Sequence, residues 1–151
     1  VAGSGPKALA VAGRQGDGVI IQLADPDIIQ WIMDTARRAA KEDGRDPDAL
    51  KCIVSAPSHV TDDLADAREQ VRWFPAMVSN HVQDLIDRYG TDGSSVPTAL
   101  TDYVQARKFY DYNEHSRVGA KHGEFVTDEI CDRFCVIGSV DQCVTKLREL
   151  E

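Results

Sequence analysis

The first 22 residues, VAGSGPKALAVAGRQGDGVIIQ, leave this chain few ways to fold. They open on the tail of a strand, turn through Gly3-Ser4-Gly5 and enter a helix at Pro6-Lys7. The helix breaks at Gly16-Asp17-Gly18, and the apolar run Val19-Ile20-Ile21 follows as a new strand. A strand-turn-helix-strand unit this tight is the signature of a parallel α/β scaffold. Its helix start carries small residues and a lysine. A helix N-terminus presents unpaired N–H groups and a partial positive charge. With Ser4 and Gly5 admitting a ligand close to the backbone and Lys7 adding a full charge, the turn predicts a phosphate site.

The remainder keeps the same alternation. In the helix over 6–15, Leu9, Ala12 and Gly13 share one side, suited to close packing on a sheet. Asp25 caps a second helix with Pro26 at its first position, and Ile28, Ile29, Ile32, Met33, Ala36 and Ala40 recur at helical spacing until Gly44 stops it. Cys52 to Ala56 reads as the next strand. Thr61 is expected to start a helix that Pro75 interrupts, with a second piece running to about Tyr89. A polar loop at 91–97, a helix over 98–109 and a polar, aromatic ordered loop over 110–125 are expected after it. Thr127 caps a short helix, Cys135 to Ile137 form a buried strand, and Ser139 with Gln142 makes a capping box. Val140, Cys143, Val144, Leu147 and Leu150 give the last helix one apolar stripe. The fold class is therefore α/β with a long helical insertion before the last strand. Four strands do not close a barrel where eight do, so the expected shape is an open half-barrel.

The totals exclude some partners. With 25 acidic against 17 basic residues and a net charge of −8, no nucleic acid is expected as a partner. No run is apolar and long enough to cross a membrane. No signal-peptide pattern stands out, and the expected location is cytoplasmic. The chain lacks a starting methionine and opens inside a strand, so it reads as a piece of a longer polypeptide. Cys52, Cys131, Cys135 and Cys143 form no CxxC pair and read as reduced. Cys131 and Cys135, with His122 nearby, suggest a metal site less well than the cysteines suggest small apolar side chains facing a core, and no metal is assigned.

Ser4-Gly5-Pro6-Lys7, Ala12-Gly13 and Gly16-Asp17-Gly18-Val19-Ile20 resemble the second half of the bacterial luciferase-like flavin and deazaflavin oxidoreductases. The similarity is to the branch that includes methylenetetrahydromethanopterin reductase. Phe125 to Glu129, Arg133-Phe134 and Ile137-Gly138-Ser139 resemble the approach to that family's last barrel strand and final helix. The resemblance implies the C-terminal half of a (β/α)8 TIM barrel, residues 1–151, with the N-terminal half absent and a helical insertion at about 75–127. It implies that Gly3, Ser4, Gly5, Lys7 and Ala8 hold the phosphate-bearing tail of coenzyme F-420, an 8-hydroxy-5-deazaflavin, or alternatively FMN. It places Gln22 at a strand end facing substrate or cofactor, and His115 among the residues lining a substrate pocket. The implied chemistry is hydride transfer to or from a small organic molecule, in a homodimer. Catalytic groups would lie in the absent half, so none is assigned.

Other readings stand beside these. An FMN-dependent monooxygenase is the alternative within the family. A non-catalytic folded fragment or assembly module, inactive in isolation, is the alternative outside it. His59, His81, His115 and His122 each read as surface or capping residues, with His115 alone singled out for testing. Asp128, Glu129 and Asp132 read as a solvated helix start and face. Trp31 and Trp73 read as core or edge aromatics.

Overall fold

The computed structural model describes residues 1–151. Helix α1 (Pro6–Gln15) starts at Pro6, whose fixed φ and missing N–H suit a first turn. Leu9, Ala12 and Gly13 are its buried residues, but their main partner is α2 (Pro26–Glu42) rather than a sheet. Gly13 sets that approach. A Cβ placed there would be driven into the carbonyl oxygen of Ala36 and stand 3.0 Å from the Ala40 backbone nitrogen. Arg45 locks the end of α1 onto the end of α2, donating to the carbonyls of Gly13 (2.6 Å) and Gly16 (2.8 Å).

Strand β1 (Gly18–Ile21) pairs in parallel with β2 (Lys51–Val54), Gly18 opposite Lys51 and Ile21 opposite Val54. Ala2 makes a parallel bridge to Ile20, extending the arc from the other side of β1. The stretch expected as one strand over 52–56 is instead two. After β2 the chain bends at Ser55–Pro57 and resumes as β3 (Ser58–Val60), paired in parallel with β4 (Val136–Gly138). The Ser55 N–H still bonds the Ile21 carbonyl (2.8 Å), and the Val136 N–H bonds the Pro57 carbonyl (3.1 Å). One bent segment therefore leans on β1 with its first half and on β4 with its second. Pro57, without an N–H, suits the bend. All pairings are parallel, and each pair of hydrogen-bonded strands is joined by a crossover through helix.

Between β3 and β4 stands the helical insertion: α3 (Leu64–Val71), α4 (Trp73–Tyr89), α5 (Thr98–Thr101) and α6 (Asp128–Phe134). The helix expected at Thr61 begins at Leu64, because Asp63 takes the cap and accepts the Asp66 N–H (3.1 Å). The break falls at Arg72, three residues before Pro75. A proline ring collides with the carbonyl four residues earlier, here Val71, so the helix must end there, and Pro75 sits in the first turn of α4. The helix expected over 98–109 stops after α5 and one tighter turn, Asp102–Val104. Tyr103 draws the chain inward, its ring 5.2 Å from Phe134 and its hydroxyl donating to the Pro75 carbonyl (3.1 Å).

Asp128 and Asp132 are not merely a solvated face. Arg68 of α3 bonds Asp132 through two nitrogens (2.9 and 2.6 Å), and Arg72 reaches Asp128 (2.7 Å) and the Val126 carbonyl. The hydrogen bond from Arg72 holds the Asp128 carboxyl below the usual carboxylate range. Cys131 and Cys135 lie in the core, where burial pushes the Cys131 thiol up to about 11. The last helix, α7 (Val140–Glu149), carries the expected capping box of Ser139 and Gln142. Its apolar stripe, however, is largely uncovered. Cys143 is buried while Val140, Val144 and Leu147 are exposed. Ile20 and Ile53, opposite one another across β1 and β2, are exposed as well.

Candidate functional site

Because the strands are parallel, the residues that leave Ala2 and β1 emerge on one side of the sheet. Gly3-Ser4 leaves one and Gln22-Leu23 the other. A cavity of about 210 Å³ lies between them, roofed by Val78, His81, Val82 and Leu85 of α4 and by Leu100. It is mostly apolar, with Gln22, Ser4 and His81 as its polar points. A second cavity of about 210 Å³ adjoins it, sharing Ser4, His81 and Leu85. Gly5, Lys7 and Ala8 form one wall of this second cavity, and Asp84, Arg88 and Tyr89 of α4 form the other.

The second cavity brings two cationic side chains, Lys7 and Arg88, and one carboxylate, Asp84, to an uncapped helix start. No side chain caps α1, whose first backbone bond runs from the Leu9 N–H to the Gly5 carbonyl (2.9 Å). The N–H groups of Lys7 and Ala8 are left without a backbone acceptor. Neither Lys7 nor Arg88 is held by a carboxylate in an ion pair. Gly5 lets α4 come close. A Cβ on Gly5 would meet Leu85 at 3.1 Å and the Tyr89 hydroxyl at 4.0 Å.

Six of the residues singled out in the sequence therefore line this paired cavity: Gly3, Ser4, Gly5, Lys7, Ala8 and Gln22. His115 lines neither half. It stands in the irregular segment after α5, its Nδ1 2.7 Å from the Tyr110 hydroxyl and its ring stacked on Tyr112. The α4 residues His81, Asp84, Arg88 and Tyr89 were not anticipated. Their signal was present, since 81, 84 and 88 share a helix face beside the apolar 78, 82 and 85. What the sequence lacked was any sign that this face turns toward Ser4.

His122, expected at the surface, is only 2 % exposed, and neither ring nitrogen has a hydrogen-bond partner. It packs against Tyr110, ring centroids 4.1 Å apart. Burial pulls its pKa below the ordinary histidine value. A depressed folded-state pKa means the unfolded chain binds the proton first. The stability His122 contributes is thus complete above about pH 6.5 and is lost as pH falls below it, by at most about 1.4 kcal/mol per pH unit. Urea midpoints at pH 7.5 and 5.5 should differ more for the wild type than for His122→Leu; an equal difference in both would contradict this.

The whole chain, residues 1–151, matches the family model for luciferase-like monooxygenase. The protein belongs to the luciferase-like monooxygenase family. Among its relatives, 5,10-methylenetetrahydromethanopterin reductase of Methanolobus tindarius is 30 % identical over 97 % of this chain and 42 % of its own length. The enzyme of that name from Archaeoglobus fulgidus is 24 % identical over 99 % of the chain and 43 % of its own. This luciferase-like chain thus spans about two-fifths of the length of these curated relatives. Among solved structures, the coenzyme F-420-dependent tetrahydromethanopterin reductase of Methanopyrus kandleri superposes with a TM-score of 0.64 at 21 % identity, over 99 % of this chain and 40 % of that one. An F-420-dependent secondary alcohol dehydrogenase, in complex with an F-420–acetone adduct, gives 0.63 at 17 % identity, over 99 % of this chain and 38 % of that one. Both show the luciferase-like fold, and the mixed α/β architecture with its helical insertion is that fold.

Proposed function

We propose that this chain is the coenzyme-binding arc of an F-420-dependent oxidoreductase that moves a hydride between the deazaflavin and a small organic molecule. The observation that carries the reading is the cavity in which the open N-terminus of α1, Ser4, Lys7 and Arg88 converge. These residues fit the phosphate-bearing tail of such a coenzyme. The Lys7 and Ala8 N–H groups and the Ser4 hydroxyl are donors, and Lys7 and Arg88 supply positive charge against the single carboxylate of Asp84. The adjoining apolar cavity suits a planar ring held away from water, with Gln22 able to orient a polar edge. When bound, a deazaflavin supplies hydride chemistry at a ring carbon. The chain's own part is to grip, orient and exclude water. The names of the relatives, all F-420-dependent enzymes or methylenetetrahydromethanopterin reductases, support the same reading.

The chain would be the C-terminal part of one TIM barrel, with further βα units covering Ile20, Ile53 and the stripe on α7. Catalytic acid–base groups would come from those units. A homodimer, a cytoplasmic setting and a substrate-lining role for His115 remain part of the same reading.

The test is a titration of the intact parent protein with F-420 and, separately, with FMN. F-420 should bind, and Lys7→Ala should weaken it by about 10- to 100-fold, the worth of one charge-assisted hydrogen bond. Lys7→Arg should retain most of the affinity. Unchanged affinity in Lys7→Ala would remove the site. Tight FMN binding with oxygen consumption would transfer the protein to the flavin monooxygenases.

A further inference from the structure

Asp25 lies three residues beyond Gln22, in the turn that leads from β1 into α2, and is only 3 % exposed. One carboxylate oxygen, Oδ1, caps α2 by accepting the Ile28 N–H (3.0 Å). The other, Oδ2, accepts from Arg133 Nε (2.7 Å) and Nη2 (2.6 Å), across 108 residues of sequence. Beside this pair the Ala24 N–H bonds the Phe134 carbonyl (2.9 Å). The end of α6 thus holds the Gln22 turn at two points. Capping does not require this arrangement. Asparagine caps a helix as well as aspartate does, and burying a carboxylate is costly unless it is paired. The charge adds a fixed distance between the cavity floor and the helical insertion. The same insertion supplies the roof through α4, and Arg68 and Arg72 hold α6 against α3.

We infer that Asp25 and Arg133 are positioning residues that set Gln22 in the cavity wall, so that the register of the insertion is transmitted to the binding site. The ligand side of this inference rests on the F-420 reading, whereas the clamp itself does not. The experiment uses the full-length protein with Asp25→Asn, Arg133→Gln, Arg133→Lys, Gln22→Ala and the double variant Asp25→Asn/Gln22→Ala.

Amide hydrogen exchange, measured without coenzyme, should quicken at Ala24 by about tenfold or more in Asp25→Asn and Arg133→Gln, while the middle of α1 keeps its protection. Arg133→Lys should restore part of the loss. In F-420 titrations, Asp25→Asn should weaken binding several-fold in the wild-type background and have no further effect in Gln22→Ala, because both act through one side chain. A purely structural pair would give multiplying effects, and that result, or unchanged exchange at Ala24, overturns the inference. Failure of the wild type to bind F-420 would instead overturn the coenzyme reading, and exchange at Ala24 would still decide the clamp.

Discussion

Gly13→Ala is expected to destabilise the protein by about 2–3 kcal/mol, although alanine is the better helix former. Alanine inside a helix gains about 1 kcal/mol over glycine. Here the new methyl would enter the Ala36 carbonyl oxygen and crowd the Ala40 nitrogen, and both are backbone atoms of α2 that cannot rotate aside. Relief requires α1 and α2 to separate, opening the contact built from Leu9, Ala12, Ala36 and Ala40. Overpacking a well-filled core costs about 1–3 kcal/mol, and a clash with backbone belongs at the upper end or beyond. Arg45 aggravates it, because its hydrogen bonds to Gly13 and Gly16 require the present spacing. Denaturant unfolding checks this by a lower midpoint at unchanged slope. A midpoint at or above that of the wild type would show that the helices part freely.

Asp25→Ala is expected to cost about 2–4 kcal/mol. Loss of the cap accounts for about 1 kcal/mol. The rest comes from the stranded Arg133 guanidinium, discounted from the full cost of breaking a buried pair because its side chain remains about 31 % exposed. Asp25→Asn, which keeps the cap, should lose clearly less. Thermal or urea unfolding of the pair of variants separates the two contributions. Equal losses in both would assign the whole effect to the ion pair.

How far the site could be read from sequence follows from where its parts lie. Ser4, Gly5, Lys7 and Ala8 are neighbours in the chain, and a turn that enters a helix fixes their donors locally. Gln22 was legible because strand ends are marked by the change from apolar to polar residues. His81, Arg88 and Tyr89 face the same cavity only because Leu85 packs over Gly5, and no local pattern encodes that contact. The burial of His122 was illegible for the same reason. A histidine in a polar stretch reads as solvated until Tyr110 is seen against it.

The chain alone determined the α/β alternation, the starts of α2, α6 and α7, and the open donors at the head of α1. Each depends on residues within a turn or two of one another, where capping geometry and period act directly. The tertiary structure decided the bend that divides β2 from β3, the pairing of β3 with β4, the seating of α4 over Ser4 and the clasp of Asp25 by Arg133. These join segments far apart in sequence, and such a contact is specified by the shape and charge of both surfaces at once, so neither segment reveals it when read by itself.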